Sequence, residues 1–583
     1  MKVRFNPPSL IAIALLVMLS FSSYGQGFLR TDGKRIVNEK GENVLLRGVG
    51  LGGWMLQEGY MLKKNEEGQQ YRIKARIEEL VGSEKTAQFY DTWLAHHTRK
   101  IDIDSMKAWG FNSVRLPMHY NLYTLPIEQE PVKGQNTWLE KGFAMTDELL
   151  QWCKANEMYL ILDLHAAPGG QGTDMNISDR DPSKPSLWES ELNKQKTIAL
   201  WRKLAERYVN EPWIGAYDVI NEPNWGFEDY ENDKNGLKES KNEPLKKLMV
   251  DITNAIREVD KKHIVIIEGN GWGNNYRNML PPWDDNMVLS YHKYWNYNDQ
   301  GSIEHIVKSR EEYNVPVWLG ETGENSNLWY TQCINLLEKN NIGWAWWPLK
   351  KLGSNNPLEV KTNEGYENIL AYWNGNGPKP DAAAAWKALS QLGEDLKLER
   401  NIFHKDVVDA MMRQPHTGET IRFRKHDVEK KLLINAVDYD LGHNTKAYFD
   451  KDTANYWVSQ GPRGGNKGRV YRNDGVDIKK DSTASDRYFV SHFESEEWLQ
   501  YTIVVRNAGD YTVHLSGAAK GQPSTLELSI DDKAVTPSAK FPSDQKGWKR
   551  VELKPVSLSA GVHRLKVKVT SGEMNFRSLE ITR

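Results

Sequence analysis

From residue 44 onward, short stretches dense in Val, Ile, Leu and Trp alternate with longer amphipathic ones. The apolar stretches read "NVLLRGVGLGG", "FNSVRLPMHY", "YLILDLHAAP", "YDVINEPN", "HIVIIEGN", "MVLSYHKY", "VPVWLGETGE" and "GWAWWPLK". Each is nearly continuous in apolar residues, as strands buried on both faces are. Between them, segments such as "HTRKIDIDSMKAWG", "AMTDELLQWCKANE", "TIALWRKLAERYVN" and "LKKLMVDITNAIREVDKKH" carry a helical pattern. Eight strands with intervening helices over roughly 340 residues predict a (β/α)8 barrel. The competing layout is an open doubly wound sheet.

The pattern changes near residue 398. A polar connector, residues 401–430, holds one helical piece, "DVVDAMMRQ". Beyond it the apolar residues alternate within short segments: "EWLQYTIVV", "GDYTVHLSGA", "TLELSI", "GVHRLKVKV" and "FRSLEITR". Turn residues separate these closely, which predicts an all-β, jelly-roll-like sandwich over 431–583. The barrel is thereby assigned residues 27–400. At the other end, Lys2 and Arg4 precede an apolar run from Leu10 to Phe21 and then "SSYGQ". That order reads as a signal peptide over residues 1–26, cleaved near Gly25, and the run is short for a membrane span. The expectation is a secreted or periplasmic protein that is soluble and monomeric.

Charge narrows the partner. Lys plus Arg total 76 and Asp plus Glu 78, a net charge of −2, without the basic excess of a nucleic-acid or anionic-membrane binder. A neutral partner fits better. There are 22 Trp beside 25 Tyr and 14 Phe, and flat indole faces suit the C–H faces of sugars as well as protein cores. Cys153 and Cys333 both fall in helix-like stretches and read as buried free thiols. No zinc-type Cys/His spacing, H-E-x-x-H or G-x-S-x-G is present, so neither a metal nor a serine or cysteine nucleophile is implied, and no cofactor.

Polar residues gather at the carboxyl ends of the strand-like runs: Arg115 and His119 on the second, His165 on the third, Asn221 and Glu222 on the fourth. His292 and Tyr294 close the sixth, Glu321 the seventh and Trp347 the eighth. In a (β/α)8 barrel that end carries the active site. Strands four and seven face each other, so Glu222 and Glu321 would meet across one cleft. Two carboxyls so placed suit cleavage of a glycosidic bond, one protonating the leaving oxygen and the other attacking the anomeric carbon or activating water. Arg115 would hold one ionised, and an apolar, Trp-lined wall would keep the other protonated.

The ordered set "RLP", "LDLHAAPGGQG", "INEPN", "YHKY", "LGETG" and "GWAWWPLK" resembles glycoside hydrolase family 5 over about residues 27–400. The resemblance implies Glu222 as acid/base, Glu321 as nucleophile, and Asn221 at the substrate 2-hydroxyl. It also implies Arg115 beside the nucleophile, His165, His292 and Tyr294 around the reacting sugar, and Trp347 beneath it, with Trp344 and Trp346 as rivals. His119 is a further candidate contact. Trp54, Trp225, Trp272, Trp295 and Trp329 follow strands and are candidate sugar platforms. "LDLHAAPGGQG" is similar to a loop of exo-acting β-1,3-glucanases, whereas "WPLK" departs from their strand-eight pattern. The implied substrate is a β-glucan poly- or oligosaccharide, β-1,3 or β-1,4 linked. β-Mannanases and transglycosylases use the same frame, and a non-catalytic sugar-binding barrel is the alternative from another class.

Residues 431–583 resemble carbohydrate-binding module family 6 through "AVDYDLG", "YRNDGVDI", "EEWLQYTI", "GDYTVHLSGA", "GWKRVELK" and "MNFRSLEI". The family's sugar cleft would fall at His492, Trp548 and Asn575, with His492 in place of an aromatic ring. Asn435 and Val437 replace two acids of that family's structural calcium site, so little calcium dependence is implied. The module would tether the enzyme to polysaccharide.

Overall fold

The computed structural model describes residues 27–451, 466–468, 470–482, 487–543 and 547–583. The signal-peptide reading of residues 1–26 lies outside them. Eight parallel strands close into a barrel in chain order: β1 (Arg47–Gly50), β2 (Ser113–His119), β3 (Tyr159–Ala166), β4 (Ile214–Asp218), β5 (Ile264–Glu268), β6 (Met287–Lys293), β7 (Val317–Gly323) and β8 (Gly343–Trp347). All eight are the strands that the apolar runs predict. Strand four differs in its end: β4 stops at Asp218, and the buried Val219 and Ile220 carry the chain on to Asn221 and Glu222 beyond the sheet. Every strand residue of β2, β3 and β6 is buried, which is why these runs do not alternate.

The helices pack their apolar stripes on this sheet. Helix Glu243–Val259 buries Leu245, Leu248, Met249, Ile252 and Ile256, at spacings of three and four, and carries Pro244 in its first turn, where a missing N–H costs nothing. The Ser190 side chain accepts from the Asn193 N–H and caps helix Glu191–Tyr208. Helices Gln70–Val81 and Ser83–His97, inserted between β1 and β2, meet helices Glu364–Trp373 and Ala382–Asp395 in a core of their own around Ile73, Phe89, Trp93, Ile369 and Leu389. Cys153 and Cys333 are buried free thiols. Among the described residues, no helix is long and apolar enough to cross a membrane.

The C-terminal region is two packed antiparallel sheets. Its strands are β9 (Lys431–Asn435), β10 (Ile478–Lys480), β11 (Tyr488–Glu494), β12 (Trp498–Val505), β13 (Gly509–Ala519), β14 (Ser524–Ile530), β15 (Lys533–Phe541), β16 (Lys549–Glu552), β17 (Gly561–Ser571) and β18 (Glu573–Thr582). One sheet runs β12-β17-β14-β15; the other runs β10-β11-β18-β13-β16, with β9 on β18. β14 shows the strict alternation of a half-buried strand, Leu526, Leu528 and Ile530 facing inward. The sandwich is bonded to the barrel: the Asn327 N–H donates to the Asn473 carbonyl at 2.9 Å, and the Asn473 N–H donates to Asp406 Oδ2 at 2.8 Å.

The glycine-rich run of β1, "GVGLGG", exists to let an indole lie flat on it. A Cβ on Gly50 would stand 2.6 Å from Trp347 Cε3, and one on Gly52 2.6 Å from Trp347 Cζ2. Gly50→Ala therefore overpacks the barrel mouth and should cost about 1–3 kcal/mol, lowering the thermal midpoint and raising KM as the Trp347 ring is displaced. A variant with unchanged midpoint and KM would show that the ring is not held by this contact.

Candidate active site

Arg115 on β2 is the centre from which the site is built. Its guanidinium is wholly buried, and Nη1 donates to Glu321 Oε1 at 2.5 Å. Nε and Nη2 donate to Asp218 Oδ2 at 3.0 and 2.8 Å, and Nη2 also to Asn221 Oδ1 at 2.8 Å and Glu268 Oε1 at 3.2 Å. Asp163 Oδ1 lies 3.3 Å from Nη2. One cation thus faces carboxylates from β3, β4, β5 and β7. Only the in-register closing of the barrel brings these together; Arg115 is level with Ile161, and Asp163 with Asp218. The sequence reading placed Arg115 beside Glu321 but did not single out Asp163, Asp218 or Glu268. Their one signal was an acid inside an otherwise apolar run, "LILDLH", "AYDVI" and "VIIEG", where burial is costly without a partner.

Glu222 and Glu321 face each other in the cleft. A carboxylate oxygen of each and a ring nitrogen of His292 all lie within 4.8 Å of one another. His292 Nδ1 is 2.6 Å from Glu222 Oε1 and 3.7 Å from Glu321 Oε2, and Nε2 is 3.2 Å from Glu268 Oε1. The Tyr294 hydroxyl donates to Glu321 Oε2 at 2.9 Å. The two carboxyls therefore differ. Burial pushes Glu222 up to about 6; His292 opposes this, while the charges of Glu321 and Glu268 add to it. Burial would raise Glu321 too, but His292, Arg115 and His165 outweigh it and hold that carboxyl below its ordinary value. His165 itself is raised to about 10, against the cost of burial, chiefly by Asp163, whose Oδ2 accepts from Nδ1 at 2.8 Å.

Above this charged floor the cleft encloses about 870 Å³ and is lined by Glu58, Tyr60, Asp174, Asn176, Trp272, Trp295, Glu324 and Lys351 as well as Glu222, Glu321, His165, His292, Tyr294 and Trp347. Trp347 stacks on His165 with ring centres 5.0 Å apart and donates from Nε1 to the Tyr60 hydroxyl at 2.9 Å. Trp344 and Trp346 are fully buried in the barrel, which leaves Trp347 as the strand-eight indole on the cleft. Trp272 and Trp295 line it; Trp54, Trp225 and Trp329 are buried. Arg115 and Asn221 lie beneath the lining. His119 does not line this cleft: its Nε2 is 3.0 Å from Asp179 Oδ2, and both residues border a neighbouring cavity. Glu58 was missed by the sequence reading because it sits in an irregular loop after β1. Burial raises its carboxyl to about 7, with His165, 3.6 Å away, working against that.

Among the described residues, Glu222, His292 and Glu321 are the set whose ligand atoms cluster closely enough for a metal ion. The positive charge such an ion would supply is already provided there by Arg115, His165 and His292. In the sandwich, Asn575 on β18 presents an Oδ1 that is buried without a partner among the described residues. His492, on the adjacent β11, is held between Lys479 Nζ at 3.1 Å and Glu573 Oε1 at 3.0 Å. Trp548, just before β16, has Arg577 over its ring at 5.1 Å and the edge of Phe489 at 5.2 Å.

Residues 69–353 match the family model for "Cellulase (glycosyl hydrolase family 5)", and residues 469–583 match "Carbohydrate binding module (family 6)". Among curated relatives, a β-xylosidase of Phanerodontia chrysosporium is 26% identical over 384 residues, 59% of this chain and 75% of the relative. Endoglucanase C of Acetivibrio thermocellus is 26% identical over 367 residues, 52% of this chain and 91% of its own. A probable glucan 1,3-β-glucosidase A of Aspergillus niger is 30% identical over 184 residues, 31% of this chain and 41% of the relative. Of solved structures, an endoglucanase of Thermotoga maritima aligns with a TM-score of 0.35 at 19% identity, covering 50% of this chain and 90% of its own. The barrel thus carries a glycosyl hydrolase family 5 match over residues 69–353, and the C-terminal domain a family 6 carbohydrate-binding module match over residues 469–583.

Proposed function

We propose that the protein is a secreted, retaining β-glucan hydrolase working by double displacement, with Glu321 as nucleophile and Glu222 as acid/base. The observation that carries this is the approach of the two carboxyls to within 4.8 Å, combined with the opposite direction of their pKa shifts. Retaining enzymes hold their carboxyls about 5–5.5 Å apart, whereas inverting ones leave about 6.5–9.5 Å for a water. Glu321, ionised and aimed by Arg115 and Tyr294, attacks the anomeric carbon while Glu222 protonates the departing oxygen. Once Glu321 is esterified its charge is gone, and with it the repulsion that helps keep Glu222 protonated. Glu222 then falls in pKa and serves as base for the incoming water. Trp347 offers its face to the reacting sugar. His165 and Glu58, on the cleft lining, meet its hydroxyls, with Asn221 held by Arg115 just beneath them, and Trp272 and Trp295 carry neighbouring residues of the chain.

β-Glucan is the reading favoured by the relatives, which include endoglucanases and glucan 1,3-β-glucosidases, and by the loop "LDLHAAPGGQG". The sandwich is proposed to hold polysaccharide at Trp548, Asn575 and His492, with Asn575 Oδ1 as acceptor for a sugar hydroxyl. Of the acids at that family's calcium site Asp438 remains, and it accepts from Arg424 Nε at 2.9 Å and from Asn435 Nδ2 at 3.0 Å.

Four outcomes follow. Activity against pH should be bell-shaped, lost on the acid side as Glu321 is protonated below the usual carboxylate range and on the alkaline side through about 6 as Glu222 ionises. An alkaline limb that survives in Glu222→Gln, with an activated leaving group, would assign it to another residue. Glu321→Gln should abolish turnover of every substrate. Glu222→Ala should keep the first step for leaving groups that need no proton and be rescued by azide with retained configuration; an inverted azide product would reverse the two roles. Finally, laminarin, mixed-linkage glucan, carboxymethyl cellulose, xyloglucan, xylan and mannan, assayed together with product lengths recorded, should show a β-glucan leading. Mannan or xylan as sole substrate would refute that choice and leave the mechanism standing.

A further inference from the structure

The segment 324–327, directly after β7, forms part of the cleft wall and is held from outside the barrel. Glu324 lines the cleft with φ at 51°, a left-handed conformation that a non-glycine residue keeps only when its surroundings fix it. Asn325, Ser326 and Asn327 are all buried. What packs on them is the sandwich loop before β10, through Asn473, itself only 7% exposed. Asn473 Nδ2 donates to the Asn325 carbonyl at 2.8 Å and to Asn327 Oδ1 at 3.1 Å. Its carbonyl accepts from the Asn327 N–H at 2.9 Å, and its own N–H shares Asp406 Oδ2 with Asn327 Nδ2, each at 2.8 Å. Asp406, on helix Lys405–Met412, is buried and anchors both segments.

From Asn325 two short paths reach the chemistry. Asn325 Nδ2 donates to the Tyr294 carbonyl at 3.2 Å, and the Tyr294 hydroxyl donates to Glu321 Oε2 at 2.9 Å. The Asn325 N–H donates to the Tyr330 hydroxyl at 3.0 Å, which donates in turn to the carbonyl of Asn355 in the cleft wall at 2.5 Å. We propose that Asn473, a residue of the sandwich, is a positioning residue for hydrolysis: it fixes segment 324–327 and, through Asn325, sets Tyr294 against the nucleophile. The sandwich is then a working part of the catalytic unit and not only a tether. This rests on the assignment of Glu321 as nucleophile.

The test uses full-length Asn473→Ala on a soluble aryl β-glycoside, so that polysaccharide binding by the sandwich plays no part. The expected result is a fall in kcat of about tenfold, the scale of a small misplacement of reacting groups, with KM changed less than about threefold. The acid limb of the pH profile should move to higher pH, because Tyr294 no longer holds its bond to the Glu321 carboxylate as firmly. Where Asn473→Ala does not fold at the assay temperature, Asn473→Ser, with a shorter donor that cannot span to the Asn325 carbonyl, carries the same measurement. A folded variant with wild-type kcat and an unmoved acid limb overturns the proposal, even if its thermal midpoint falls, since that would be a purely structural contact. Glu321→Gln separates the two ideas. If it is inactive while the Asn473 variants behave as wild type, only the positioning role fails; if it is active, the nucleophile assignment fails first.

Discussion

The mouth of the barrel is organised around one buried cation. Arg115 is wholly buried, and among the described residues the acids that face it are Asp163, Asp218, Glu268 and Glu321, each delivered by a different strand. Removing one partner from a buried ionic group of this kind costs about 3–5 kcal/mol, because the charge left behind cannot be hydrated. The arrangement therefore demands that β2, β3, β4, β5 and β7 close in one register. The same constraint that makes the barrel mouth rigid helps to hold the Glu321 carboxyl below its ordinary pKa. His165 and His292, both raised in pKa by neighbouring acids despite burial, extend the positive field towards the cleft.

That field gives two chemically identical side chains opposite pKa shifts. Glu222 stands beyond the end of β4 at φ 43°, beside His292 but without a guanidinium, and burial dominates its titration. Glu321 stands within β7 against Arg115, and attraction dominates. The different titration of the two carboxyls follows from where at the barrel mouth each residue stands, and neither could be exchanged for the other without moving the cation. The glycines of β1 serve the same site from the opposite side, giving up their side chains so that Trp347 can lie on the backbone and meet His165 face to face.

The sandwich extends the domain logic. As a sequence it reads as a self-contained sugar-binding module, and its core is indeed separate from that of the barrel. Yet the loop around Asn473 is buried against the segment that follows β7. A module that could swing freely on a linker would leave those amides in water. The connecting helix Lys405–Met412 instead supplies the acid, Asp406, that both domains share.

The sequence by itself determined a good deal. Nearly continuous apolar runs are possible only for strands covered on both faces, so the eight barrel strands and their order were legible, and strict alternation in residues such as Leu526, Leu528 and Ile530 marked the sandwich. The candidate pair Glu222 and Glu321, with His165, His292, Tyr294 and Trp347, was legible because a polar residue ending a buried strand is costly unless it has work there. What only the tertiary structure decided concerns partners. Asp163, Asp218 and Glu268 looked like isolated acids until strand register placed them on Arg115. His119, one residue type among several at strand ends, turns instead to Asp179 and a different cavity. Glu58 and Asn473 lie in loops with no periodicity to mark them, and their contacts span more than a hundred residues of chain, Glu58 with His165 and Asn473 with Asn325. Local pattern records burial, which each residue experiences alone; pairing between distant residues is recorded nowhere until the chain has folded.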